Sequence, residues 1–333
     1  MARAARIRSQ LGLGGTPGSP AAATVQLPGL LTMRHAPNRL LREEYRNSWG
    51  GSNVHDDLRL ESTGQYVGRC TTSTLPYWLS AGMRGGVTPT TVLTSGKQWA
   101  FVQPLTEIPV PALQQLTAYW GDADPTGGSL CAPGTVVTRI VIEGANDAAW
   151  TIRADLLGMG TEPAAFNAAL TTISNETVKN LLSSIFIGGD WATIMAATPT
   201  ASPGVAYGFT WTYDAGVAGD FTMSNSLTRT DLHRDIPNTT LQLRLKWSAE
   251  AQNLAVHHLN NARRFIRLKN EGSIISGGTA KNTIDIAGAY DLMTMDTVAD
   301  QTDGTVRSTL DLVAVEDSGR EVEVTVTNAL ASL

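Results

Sequence analysis

Residues 305–328, TVRSTLDLVAVEDSGREVEVTVTN, alternate apolar and polar side chains with a period of two. A strand sends successive side chains to opposite sides, so each run has one apolar and one wet face. Val306, Leu310 and Leu312 make the first apolar face, and Val322, Val324 and Val326 make the second. Glu321, Glu323 and Thr325 fall on the wet side. Asp317-Ser318-Gly319 supplies turn chemistry between them, which predicts a β-hairpin. A lone hairpin is marginal in water, so its apolar face must lie on other strands. Further strands are expected at KQWAFVQPL, VVTRIVIEG, AWTIRADLLG, VAYGFTWTYD, TTLQLRLKW, RFIRLKNEG and NTIDIAGAYD.

Composition agrees with a mainly β chain. Apolar residues make up 42%, charged residues only 17%, and there are 32 Gly and 15 Pro, which favours loop-rich β structure over helical bundles or disorder. At 333 residues the chain exceeds one ordinary domain. Its net charge of −5 has the wrong sign for a protein that grips nucleic acid. The best apolar run, LLSSIFIGG, is far too short for a membrane helix. Cys70 and Cys131 are too few for a disulfide framework or a four-cysteine zinc site and are expected as buried free thiols.

Residues 1–50 read as an N-terminal arm and first strand region, rich in Gly, Pro and Ala, with Arg3, Arg6 and Arg8 but without the continuous apolar core of a secretory signal. Such an arm cannot build a core, so its removal is expected to spare the folding of the rest. Residues 51–203 and 204–333 read as two tandem β units. A short helix is predicted at TSTLPYWLSAGMRGG, with Thr74 as cap, and longer ones at TEPAAFNAALTTISNETVKNLLSSIF and SAEAQNLAVHHLNNARR, the last capped by Ser248. With the two longer helices as landmarks, both halves read strand, helix, strand, loop, strand at an offset of about 70 to 90 residues, within the size of duplicated small domains.

No constellation for catalysis, cofactor or metal emerges. His257 and His258 are adjacent on a helix and point apart, without the i, i+4 spacing of a zinc helix. Asp56 and Asp57, after His55, face opposite ways in a strand. GLGGTPG has Pro17 in place of the third glycine of a dinucleotide fingerprint, and no strand precedes it. Trp99, Trp120, Trp150, Trp211 and Trp247 are scattered among strands without the interleaved cations of a nucleic-acid platform, and read as core and interface filler.

The order of elements from VAYGFTWTYD through TTLQLRLKW, the helix, RFIRLKNEG, NTIDIAGAYDLMTMD and DGTVRSTLDLVAVEDSGREVEVTVTN resembles the major tail tube proteins of long, non-contractile-tailed bacteriophages. HDDLRLESTGQYVGRCTTSTLPYWLSAGMRGG is similar to that family's first hairpin and adjoining helix. The resemblance implies two tandem tail-tube-like β-sandwich or partial-barrel units, each with a flanking α-helix, and no enzymatic activity. It implies a virion protein made in the host bacterial cytoplasm that polymerises into stacked rings around a lumen. With two units per chain, three chains would supply the six positions of a ring. Its partners would be its own copies, tape measure and tail terminator or tip proteins, and DNA in transit, with no membrane. On this reading Asp300, Asp303, Glu321 and Glu323 are candidate lumen-facing acids that would repel passing phosphates, and Arg3, Arg6, Arg8 and Trp49 are candidate contacts between subunits. A tandem β-sandwich hydrolase or carbohydrate-binding tail module, or a capsid or decoration protein, is the alternative.

Overall fold

The computed structural model describes all residues except 1–6, 45–51, 104, 106–112, 123–127, 174–175, 177, 197–205, 224–225, 261 and 300–305. The first half runs through β1 (Ile7–Leu13), β2 (Gly15–Thr16), β3 (Ser19–Pro20), β4 (Val25–Gln26), β5 (Leu30–Glu44), β6 (Ser52–Arg69), α1 (Leu75–Gly82), β7 (Thr90–Val92), β8 (Gly96–Val102), β9 (Leu116–Asp122), β10 (Ser129–Ala145), β11 (Thr151–Gly158) and β12 (Glu162–Pro163). The second half comprises β13 (Ser183–Gly188), α2 (Trp191–Met195), β14 (Ala206–Asp214), β15 (Val217–Asp220), β16 (Asp231–Arg234), β17 (Asn238–Lys246), α3 (Ala249–Leu259), β18 (Arg264–Ile274), β19 (Lys281–Ala299), β20 (Val306–Ala314) and β21 (Val322–Asn328). The fold is mainly β, as the alternation requires.

Apart from the separate pairs β2–β3 and β15–β16, hydrogen bonding arranges these strands in three connected layers, every pairing antiparallel. The first sheet has the order β5-β6-β11-β10-β14-β17-β20-β19. The second is β13-β18-β19-β21-β8-β7, and the third is β12-β10-β9-β1-β4. β10 and β19 each serve two layers. The inner faces of all three enclose one continuous apolar core, which holds Leu31, Ile140, Trp211 and Leu243 from the first sheet, Ile286 and Val324 from the second, and Leu11 and Ala118 from the third.

The pairings repeat within the chain. β1, β5, β6, α1, β9, β10, β11 and β12 follow one another as β13, β14, β17, α3, β18, β19, β20 and β21 do, and the six ladders among the first set match six among the second. Even the irregularities coincide: β10 slips one residue against β11 between Val137 and Arg139, and β19 slips one against β20 between Leu292 and Thr294. The duplication expected from the sequence is therefore present in the topology, but with other counterparts. The helix matching α3 is α1, and the second repeat begins at β13, ahead of the expected boundary at residue 204. Two ladders join the first repeat to the second, β10 with β14 and β8 with β21.

Three other expectations are corrected. The described residues of segment 161–186 hold no α-helix, only a 3-10 turn at Asn180–Leu182. Its β-branched Thr171, Thr172 and Ile173 disfavour one, and its polar groups are spent on the first strands instead. Gln10 donates to Asn167 O and accepts from Asn167 N, and Asn167 Nδ2 donates to Ala23 O. The N-terminal region is not an arm over Ile7–Met33, because Leu11, Val25, Leu27, Leu31 and Met33 belong to the core. Finally, 306–328 is not a hairpin. A tight turn does form, with an Asp317–Arg320 bridge and positive φ at Ser318 and Gly319. The chain there steps from one sheet to another, so β20 lies between β17 and β19 while β21 lies between β19 and β8. The expected apolar faces hold, with Leu310, Leu312, Val322, Val324 and Val326 all buried, except that Val306 is partly exposed.

Two outcomes follow for stability. Val324→Asp would bury an unpaired carboxylate and is expected to cost about 4 kcal/mol in denaturant unfolding, whereas Glu323→Gln, on the other face of β21, should change it by less than about 1 kcal/mol. Deleting residues 2–25, which removes β1 and Leu11, is expected to abolish cooperative thermal unfolding of the monomer rather than leave it intact.

A candidate assembly surface

The first sheet is unlike the other two because its outer face is open and polar. Across its strands run Thr32, Gln65, Thr210, Thr212, Thr240 and Thr309, none of them buried. Charges of both signs sit among them, often opposed. Arg139 faces Asp155 on one side and Asp214 on the other. Arg153 approaches Asp155 at 3.5 Å, and Asp311 accepts from Gln242 and Thr294. The middle of this sheet is a joint between the two repeats, where β10 of the first pairs with β14 of the second from Arg139↔Asp214 to Ala145↔Gly208. At the two ends of the sheet stand β5 and the C-terminal half of β19. Among the described residues, β5 has a ladder only to β6, and β19 beyond Leu292 only to β20.

Past the sheet, β5 and β6 continue as a two-stranded ribbon from Ala36↔Glu61 to Glu44↔Ser52, about 30 Å long at a strand's rise per residue. Its base is held by a bridge between Leu60 and Thr228. The equivalent hairpin of the second repeat carries the short β15–β16 pair instead.

The expected site residues do not share this surface. Glu323 lies on β21, in the second sheet, 3.9 Å from Arg320. Glu321 is half-buried beside the turn at 317–320, where burial lifts its carboxyl above the ordinary range against a hydrogen bond from Gln103. Arg8 sits within β1, opposite Gly121 of β9. Asp300, Asp303, Arg3, Arg6 and Trp49 lie outside the described residues, as do the side chains of His55, Asp56, Asp57, His257 and His258. Glu321 and Glu323 thus lie away from the outer face of the first sheet, because strand pairing, which local sequence does not reveal, sets the layer that a strand joins. Cys70 and Cys131 are free and buried, and burial pushes both thiols up. Trp99, Trp150 and Trp211 are in the core, with Trp120 and Trp247 packed against it.

Sequence reading missed two buried arginines. Arg267 forms a fork with Asp285 at 2.6 to 3.0 Å and donates to Ile194 O at 2.8 Å, pinning α2 over the outer face of the second sheet. Arg229, carried by the loop between β15 and β16, reaches back to the carbonyls of Gly134 and Leu157 in the first repeat. In a strand, Arg267 and Asp285 read as ordinary surface charges, so only their register against each other could have singled them out.

A cleft of about 380 Å³ lies beside the joint between Trp150, Asn180, Phe209 and Leu268, and Asp147 is the carboxylate among its described lining residues. No cluster of three metal-ligating side chains occurs among the described residues, and no helix there is long and apolar enough to cross a membrane. Comparison with known protein families finds no family that matches the chain, and comparison with curated proteins finds no matching sequence.

The placement of Glu321 predicts a pH signature. Because its pKa is raised in the folded chain, the unfolded chain loses this proton first as pH rises, so ionising Glu321 subtracts from stability above that window. Glu321→Gln is expected to melt higher than the parent at pH 7, with the gap closing as pH falls below about 4.5.

Proposed function

We propose that this chain is the repeating unit of a self-assembled hollow tube, the major tail tube protein of a long, non-contractile-tailed bacteriophage. The observation that carries the reading is the first sheet itself: two equivalent half-sheets are joined edge to edge within one chain, and among the described residues the equivalent edges at its ends carry no further ladder. An edge that is paired inside the chain is a hazard when left bare, and proteins that leave one bare use it for association. A head-to-tail joint that turns each unit by a fixed angle closes into a ring, and stacked rings make a tube. The sequence resemblance supports the same reading. In that family single units stand six to a ring, so a chain with two units supplies the six positions from three copies.

On this reading the chain is made in the host cytoplasm, works in the virion, meets tape measure and terminator proteins, and passes DNA along its lumen. The polar face of the first sheet would form the wall. Its cations are interleaved with acids, so the wall offers phosphate no continuous track of uncompensated charge.

Negative-stain imaging of purified protein tests the reading, with hollow tubes or rings expected and native mass giving three chains per ring. A monodisperse monomer under all polymerising conditions would sink the tube. Six chains per ring would sink the role of the duplication.

A further inference from the structure

Resting on the ring reading, we propose that the seam between neighbouring copies is an antiparallel ladder of residues 294–298 of β19 in one copy with residues 32–36 of β5 in the next, placing Asp296 directly opposite Arg34. The internal joint supplies the register. The matched bulges align Thr138 with Met293, so Val141 corresponds to Asp296. Crossing each repeat strand by strand, Ala154, Tyr66 and Leu31 occupy the places of Leu310, Leu243 and Phe209. Arg34 therefore takes the place of Thr212. In the internal joint Val141 stands opposite Thr212, and substituting the counterparts sets Asp296 against Arg34.

Three further observations agree with it. Leu31 and Met33 are buried in the core, as are their counterparts Phe209 and Trp211, so β5 presents to the interior the same face that β14 presents in the internal joint. Arg34 and Asp296 are both exposed, and neither has an ion-pair partner among the described residues, so the two open edges carry one unmatched charge of each sign at matched positions. The limits of the ladder are also marked. Leu31 N donates to Ser9 Oγ, and Pro37, which has no N–H, stands where Ala215 N donates to Thr138 O in the internal joint. Alternate residues of an antiparallel strand direct their backbone groups to the same side. The N–H groups of Met33 and His35 are then the donors that face the open edge.

The test uses the full chain and its polymerisation. Asp296→Arg and Arg34→Asp are each expected to lose tube formation while keeping the parent's thermal unfolding, since both positions are exposed. The double variant is expected to regain it. In a second arm, Asp296→Cys and Arg34→Cys made on separate chains are mixed under mild oxidation. A disulfide-linked pair of one chain of each kind is expected, with none from either variant alone, and the buried Cys70 and Cys131 leave the readout clear. Tubes from both single charge variants, or cross-links that form with Asp296→Cys only when its partner is Met33→Cys, would overturn the seam and leave the ring reading standing. A parent chain that never polymerises would remove the ring reading and the seam with it.

Discussion

Two strands, β10 and β19, each belong to two sheets at once, and the rest of the architecture hangs on them. In each, the N-terminal half pairs in a back layer and the C-terminal half in the first sheet, with a one-residue slip where the paired partner changes course. A bulge of this kind bends the strand and sharpens its twist. It also resets the alternation, so that Ile140 and Ile142 still point inward after the bend. The layers are therefore joined through unbroken backbone as well as through the side chains packed between them, and the core has no plane along which the sheets could slide.

The two outer faces are finished differently. The second sheet is roofed by α2, and the charge caught beneath that roof is neutralised by the Arg267–Asp285 fork. Such a buried pair is weak support in itself, but losing one partner would leave a stranded charge, at a cost of about 3–5 kcal/mol. Among the described residues the first sheet has no such cover, and its threonines and opposed charges suit water. One side of the molecule is thus closed and the other is available.

What could be read in the sequence was local. Strand positions and inward faces were legible from alternation, since period two is a property of the strand itself, and the Ser248 cap was legible from its side chain, whose Oγ accepts from Ala251 N. Partner choice was not legible. Val322, Val324 and Val326 look the same whether β21 pairs with β20 or crosses to β8, because burial depends on the face and not on the neighbour. Helices used as landmarks misaligned the repeats, since the Ala- and Leu-containing segment 161–186 reads as helical but its Asn167 and Thr172 bond to Gln10, Ala23 and Gln26 near the first strands. The candidate surface is defined by strand edges without partners, and whether an edge is free is settled by every other strand in the sheet.

The pairing of β8 with β21 bears on how the chain is made. Trp99 Nε1 donates to Asn328 Oδ1 across 229 residues of chain, and Asn328 Nδ2 donates to Thr72 O across 256. At about 5–20 residues per second of synthesis, β8 emerges from the ribosome on the order of tens of seconds before its partner exists. Through that interval the nascent chain holds a vacant strand slot, with Trp99 and Phe101 beside it awaiting their final cover. The second sheet is therefore completed only once β21 has been made, and a product stalled short of Val322 would carry that slot open to the first foreign strand it meets.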